Sequence, residues 1–434
     1  MKNSLLQNTI LTISFLTFVS YFQVNAQSHA LIGYWQNWQD VNAPYISLDQ
    51  IDSRYDIIEV SFAESTSSSD MTMVFNPDVD TQGEFIAKIQ TLQNQGKKVL
   101  ISIGGATSTI DLTSTPNKNA FISSVTNIIE TYGFDGIDID GEHGSSIEVT
   151  GGTITSPTDI AVINLIDAIK QIMTNYRSTH STKLMLTMAP ETTGIPGGQS
   201  DYNGMLGGYL PLVEALKDSI DILQVQLYNS GSMYGIDGGE YFEGTADFVV
   251  AMTEAAIVGF NTNGGMYNGL PANKVAVALP ACDMASSGYI NPTTLESAMN
   301  YLLGTGPQPG TYVLSNLSGY PNLKGLMTWS INWDAVANCG AVYEFAATYE
   351  TIFGSLNSIE TITNTENKIE IYPNPASDVI QISASDISRM SIYNNLGELV
   401  YLKDHFNKEI DISFLCKGIY SIEIDGNRTK LVKQ

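Results

Sequence analysis

The chain has 434 residues, room for one large domain and a small one, with only 15% charged residues and a net charge of −25. So acidic a surface excludes nucleic acid and anionic membrane as natural partners and suits a neutral or cationic one. Three cysteines and four scattered histidines make no disulfide scaffold and match no zinc spacing, so neither a metal nor another cofactor is expected.

Near the N-terminus, Lys2 precedes an apolar stretch from about Ile10 to Val19, and Val24-Asn25-Ala26 fits an A-x-A-like cleavage site before Gln27. Residues 1–26 read as a secretory signal, and a soluble exported protein is expected. The apolar stretch is too short to span a membrane, and no other segment approaches that length. From Ala30 to about Gly354, short apolar strands alternate with helical patterns. The predicted strands are Leu31–Trp38, Ile57–Glu64, Val99–Gly105, Phe134–Glu142, Leu184–Glu191, Ile222–Asn229, Val275–Ala281 and Leu326–Asn332. Between them, Phe85, Ile86, Ile89 and Leu92 run up to a capping Gly96, and Phe121, Ile122, Val125, Ile128 and Ile129 up to Gly133. Ile163, Ile166, Ile169 and Met173 form another apolar face, as do Leu295, Met299 and Leu302. Strand and helix repeated eight times predict an α/β fold over residues 27–354, a (β/α)8 TIM barrel. A doubly wound open sheet is the alternative, but the phosphate-cradling glycine fingerprint is missing after the first strand.

The fourth strand carries the densest chemistry: Asp135-Gly-Ile-Asp138-Ile-Asp140-Gly-Glu142. Ile137 and Ile139 alternate with acids, so Asp138, Asp140 and Glu142 share one face, with successive residues roughly 6.6 Å apart. Like charges so close cannot all ionise in a desolvated site, so at least one carboxyl keeps its proton near neutral pH. A solvated acidic turn is the plainer reading, but turns do not set isoleucines at strict alternate positions. Barrel active sites sit at the C-terminal strand ends. Here those ends offer Glu142, Met188-Ala-Pro-Glu191, Gln226-Leu-Tyr228-Asn229 and Trp329-Ser-Ile-Asn332-Trp333. Singly, Tyr228 could be core and Trp329 could fill the barrel top; together they converge on one rim. His143 follows Glu142 without the second histidine of an H-E-x-x-H site, so no metal is read there. Cys282 ends the seventh strand and Cys339 follows the eighth. A closed barrel makes them neighbours, either as a disulfide or as two buried thiols.

Beyond Phe353 the periodic pattern stops. Residues 355–367 read as a polar linker. Residues 368–434 are all-β in texture, with predicted strands Ile369–Tyr372, Val379–Ile382, Met390–Tyr393, Leu399–Leu402 and Tyr420–Ile424, enough for a small β-sandwich.

At these residues the chain resembles glycoside hydrolase family 18, and within it the bacterial chitinases. Asp135, Gly136, Asp138, Asp140 and Glu142 meet the motif D-G-x-D-x-D-x-E in full, and Ser102-Ile-Gly104-Gly105 is similar to the S-x-G-G element of the third strand. Gly33-Tyr34-Trp35, Met188–Glu191, Gln226–Asn229 and Gly325–Asp334 also resemble their chitinase counterparts, and the likeness covers about 31–345. It implies an endo-acting chitinase whose partner is chitin or chitooligosaccharides, and a monomer is expected. Retaining glycosidases ordinarily use two carboxyls, but this family relies on substrate assistance. By resemblance, Glu142 protonates the glycosidic oxygen while the 2-acetamido carbonyl attacks the anomeric carbon. Asp140 orients the acetamido N–H, Asp138 shares a proton with Asp140, and Tyr228 holds the acetamido carbonyl. Trp329 stacks under the sugar, with Gln226, Asn229, Tyr34, Glu191 and Asp135 as further substrate-binding residues. Many members insert an α+β subdomain between strands seven and eight. Here Ala281 to Lys324 leaves room only for a helix and loops, so a shallow open groove is expected.

The tail resembles the type A sorting domain of the type IX secretion system through Tyr372-Pro-Asn-Pro375, Ser391-Ile-Tyr393-Asn-Asn-Leu-Gly397, Lys417-Gly-Ile-Tyr420 and Lys430-Leu-Val-Lys433. That likeness implies the secretion machinery as partner and an extracellular or cell-surface location. Two other functions compete: an endo-β-N-acetylglucosaminidase acting on N-glycans, and a non-catalytic chitin-binding lectin. The presence of Glu142 weighs against the lectin. A chitin-binding module is the rival for the tail, but the tail has no tryptophan for sugar stacking.

Overall fold

The computed structural model describes residues 29–67, 69–143, 145, 147–336, 340–357, 371–383, 389–394, 399–404, 409–424 and 427–434. The expected signal peptide (1–26), most of the expected linker and Cys339 lie outside them. The chain divides into two compact units, Met1–Asn357 and Ser358–Gln434.

The first unit is built on eight parallel strands: β1 (Ala30–Gln36), β2 (Ile57–Ser67), β3 (Lys98–Gly104), β4 (Gly136–Asp140), β5 (Met185–Met188), β6 (Ile222–Leu223), β7 (Ala276–Pro280) and β8 (Gly325–Trp329). Their spatial order is the chain order, with β8 pairing back onto β1. Two isolated parallel bridges, Leu223 to Val275 and Gln226 to Ala278, join β6 to β7 and complete the ring. The predicted TIM barrel is therefore observed. Alternation along each strand splits the apolar residues into two layers. Leu31, Trp35, Ile137 and Ile139 face the surrounding helices, whereas Ile32, Tyr34, Leu100, Ala278 and Met327 pack inside the ring.

The helices are α1 (Gln82–Asn94), α2 (Thr115–Tyr132), α3 (Ile160–His180), α4 (Leu210–Leu216), α5 (Ala246–Val258), α6 (Pro292–Leu302), α7 (Ile331–Asp334) and α8 (Glu344–Asn357). Local chemistry sets their ends. Thr81 and Glu84 form a capping box on α1, Ser114 caps α2, and Gly133 stops α2 in the left-handed region.

Several predicted boundaries are corrected. The first repeat has no α-helix between β1 and β2, only a 3-10 turn at Leu48–Gln50. The preceding loop is held by Trp35 Nε1 donating to Ile46 O and by Asp40 accepting from Asn42 and Ala43, and it contains Pro44. The sixth strand keeps its ladder only at Ile222–Leu223, because residues beyond it reach their neighbours through single bonds such as Leu227 N to Ala278 O. The eighth ends at Trp329, where the Ser330 side chain accepts from Trp333 N–H and starts α7, so Asn332 is helical. The expected linker begins too early: α8 continues to Asn357.

The second unit has two antiparallel sheets. One holds β9 (Ile371–Tyr372), β10 (Val379–Ile382) and β13 (Glu409–Asp411). The other holds β11 (Arg389–Tyr393), β12 (Leu399–Asp404), β14 (Gly418–Ile424) and β15 (Asn427–Lys433). Ile380, Ile382, Met390, Ile392, Ile410, Ile422, Ile424 and Leu431 form its own core, as a β-sandwich requires. Sequence reading missed β13 and β15, both of which mix charges with few apolar positions. Among the described residues, no helix of either unit is long and apolar enough to cross a membrane.

Candidate active site

The isoleucines of β4 face outward, so its aspartates must face the barrel interior, and Asp138 and Asp140 are both buried. The end of β3 comes unusually close to this strand. Gly104 has φ 118°, and a Cβ there would collide with the Asp140 carbonyl. Gly105 N–H donates to that same carbonyl at 2.7 Å. One residue further on, Gly141 N–H donates to Tyr209 Oη (2.7 Å), while the Tyr209 hydroxyl contacts Gly141 O (3.0 Å). The peptide between Asp140 and Glu142 is thus clamped from both sides.

Asp138 is the deepest of the three acids. Its Oδ2 accepts from the Tyr34 and Ser102 hydroxyls at 2.7 and 2.8 Å, and its Oδ1 lies 2.7 Å from Thr187 Oγ1. Gln226 Nε2 donates to Asp140 Oδ1 (2.8 Å) and Ala189 O (3.0 Å), and lies 3.5 Å from Glu142 Oε1. Burial pushes all three carboxyls above their ordinary range. Asp140 rises furthest because the charges of Glu142 and Asp138 add to its burial. Burial, reinforced by the Asp140 and Glu142 carboxylates, also keeps the Tyr228 phenol protonated and hence a donor.

Above the row lies a cleft of about 720 Å³ lined by Trp38, Phe62, Asp140, Glu142, Gln226, Tyr228, Asn229 and Trp329 among others. Its floor is aromatic. Trp329 stacks on Phe62 with centroids 5.9 Å apart and planes 10° from parallel, and Trp38 stacks on the same ring at 6.3 Å. Asn229 sits at the rim with φ 53°, its Oδ1 accepting from Ser286 and Ser287.

Three expected substrate-binding residues do not line this cleft. Asp135 is at the opposite, N-terminal end of β4. There it binds Lys98 Nζ (2.8 Å), Gln93 Nε2 and Val99 N, a staple across the barrel bottom. Tyr34 points into the barrel and is 1% exposed, so it supports Asp138 from below. Glu191 is taken up by His143, accepting from its backbone N at 3.0 Å and lying 3.4 Å from its Nδ1. Glu142, His143 and Glu191 bring their ligand atoms within 4.8 Å of one another. Sequence reading missed Trp38 and Phe62, although an aromatic at the C-terminal end of a barrel strand is the signal that could have found them. Thr187, Tyr209 and Glu59 carried no such signal. Of the cysteines, Cys282 is buried and disulfide-bonded and Cys416 is exposed and free; the expected partner, Cys339, is outside the described residues.

The first unit is thus an eight-stranded barrel with a row of buried carboxyls beneath an aromatic-floored cleft. The chain belongs to Glycosyl hydrolases family 18, which it matches over residues 30–316, and residues 370–434 match the Secretion system C-terminal sorting domain. It is 41% identical over 342 residues to Chitinase Chi52 of Paenibacillus xylanexedens, covering 77% of this chain and 63% of that protein. It is 44% identical over 315 residues to Chitinase D of Niallia circulans, covering 71% and 59%. The chain thus spans about six tenths of these curated relatives. Among solved structures, a family GH18 chitinase from Chromobacterium violaceum superimposes with a TM-score of 0.66 at 32% identity, covering 76% of this chain and 84% of that one.

Proposed function

We propose that the chain is an exported endo-acting chitinase that cleaves β-1,4-linked N-acetylglucosamine polymers by substrate-assisted retention. The observation that carries this reading is the ascending row Asp138, Asp140, Glu142, with Glu142 and Tyr228 both lining the cleft beside Trp329. Glu142, raised by burial, is the general acid toward the glycosidic oxygen. Within the row, Gln226 holds Asp140 and Asp138 lies beneath the cleft, which favours the substrate's own group over either aspartate as nucleophile. The 2-acetamido carbonyl then supplies the attack, with Tyr228 donating to it and Asp140 accepting from the acetamido N–H. Trp329 presents a flat face under the sugar ring as positive charge develops. Between β7 and β8 the chain adds only α6 and loops, which leaves that flank of the groove low and suits attack within a polymer. The sorting-domain match of the tail supports export by the type IX route.

Product analysis on colloidal chitin, chitosan and an N-glycoprotein tests the reading. Mixed chitooligosaccharides retaining the β-anomer are expected from chitin. Release of intact N-glycans with chitin untouched would overturn it.

A further inference from the structure

Below the catalytic row lies an acid that the proposed mechanism leaves unused. Glu59, on the inward face of β2, has no exposed surface, and no lysine, arginine or histidine among the described residues pairs with it. Gln224 Nε2 lies 2.7 Å from both of its oxygens. Thr187 Oγ1 lies 2.9 Å from Glu59 Oε1 and, on its other side, 2.7 Å from Asp138 Oδ1.

A hydroxyl carries one hydrogen, so Thr187 can donate to only one of these carboxyls. The other contact is a hydrogen bond only if that carboxyl brings its own proton. The surroundings decide which one does. Asp138 also accepts from the Tyr34 and Ser102 hydroxyls, donors that favour its anion. Glu59 has a single amide nitrogen, shared between its two oxygens. The titratable groups that interact with it are Asp138, Asp140, Tyr34 and Tyr228, each an acid or a phenol.

We infer that Glu59 is a positioning residue: held as the neutral acid, it donates to Thr187 Oγ1, which donates to Asp138 Oδ1 and keeps Asp138 the proton acceptor beneath Asp140. Burial first, and the Asp138 charge second, push the Glu59 carboxyl well above the glutamate range, in the same direction. The inference rests on the proposed function for its kinetic consequence but not for its protonation state.

Two variants separate the possibilities. Glu59→Gln keeps the shape and an N–H for Thr187 but cannot ionise. Glu59→Leu removes the donor. Difference infrared spectra of wild type against Glu59→Gln at neutral pH should show the carbonyl stretch of an un-ionised carboxyl in the wild type, a result independent of substrate. In chitooligosaccharide hydrolysis, Glu59→Gln should hold kcat within about threefold with both limbs of the pH profile unmoved. Glu59→Leu should lower kcat by about tenfold with KM little changed, and move the acid limb to higher pH as the Asp138 anion loses support. A carboxylate band in place of the carbonyl stretch overturns the inference. So does Glu59→Gln impaired with a displaced profile, or Glu59→Leu with the wild-type profile. If Glu59→Leu does not fold, the two readouts on Glu59→Gln still decide. If no variant, wild type included, cleaves the substrate, the proposed function fails while the infrared result stands.

Discussion

Gln226 reaches three acceptors from one amide nitrogen that carries two hydrogens, and its contact to Glu142 is the longest of the three at 3.5 Å. Glu142 is therefore the least tethered acid of the row, as its proposed role of proton donor to a substrate oxygen requires. Glu142→Gln should lower kcat by ~10²–10⁴-fold or more while leaving oligosaccharide binding and thermal stability near wild type. Retention of over half the activity would remove Glu142 from its role. Because burial raises the Glu142 pKa, a general acid at this position should keep its proton above the ordinary glutamate range, and a pH–rate profile should fall as pH rises through the raised value. Glutamates and aspartates in alternate positions made this row legible in the sequence, since strand period alone fixes their common face. Depth beneath the cleft was not legible. Asp135 and Tyr34 carried family motifs, yet Asp135 lies at the far end of β4, as its place at the start of the predicted strand implied, and Tyr34 lies beneath the site, which only tertiary register could show.

Strand-to-strand approach sets the site at the next scale. Gly104→Ala would place a methyl against the Asp140 carbonyl in a left-handed backbone, so a stability loss of about 1–3 kcal/mol is expected together with a lower kcat. Gly133→Ala makes the control. It also has positive φ, but nothing meets its Cβ, so it should cost about 1–2 kcal/mol in denaturant unfolding and leave kcat alone. Strand and helix order was readable because apolar period and caps are local. The early end of β8 was not read, although Ser330 three residues before Trp333 is a helix-start signal. The apolar run of the sixth strand hid its loss of ladder, because isolated bridges leave the same side-chain alternation as a paired strand.

The molecule consists of two units with separate cores, and the proposed catalytic row lies wholly in the first. A chain ending at Asn357, which completes α8, should hydrolyse soluble chitooligosaccharides as fast as the full chain and stay in the periplasm of a host that secretes the full chain. Loss of activity on insoluble chitin alone, with export unchanged, would make the tail a binding module instead. The first unit runs to 357 rather than 354 because a helix with polar residues in its last turn resembles a linker in sequence. One larger consequence follows from stacking Glu59, Asp138, Asp140 and Glu142 up the barrel interior with neither lysine nor arginine pairing with any of them among the described residues. Each of the four has its folded pKa above its unfolded one, so between those values the native chain binds protons that the unfolded chain gives up. Stability contributed by the four therefore declines as pH rises. With Glu59 neutral as inferred above, unfolding the protein with urea in weak buffer at pH 7 should acidify the solution by about one proton per chain, and a pH-indicator dye would read it. The barrel is, in that sense, charged with acid when it folds.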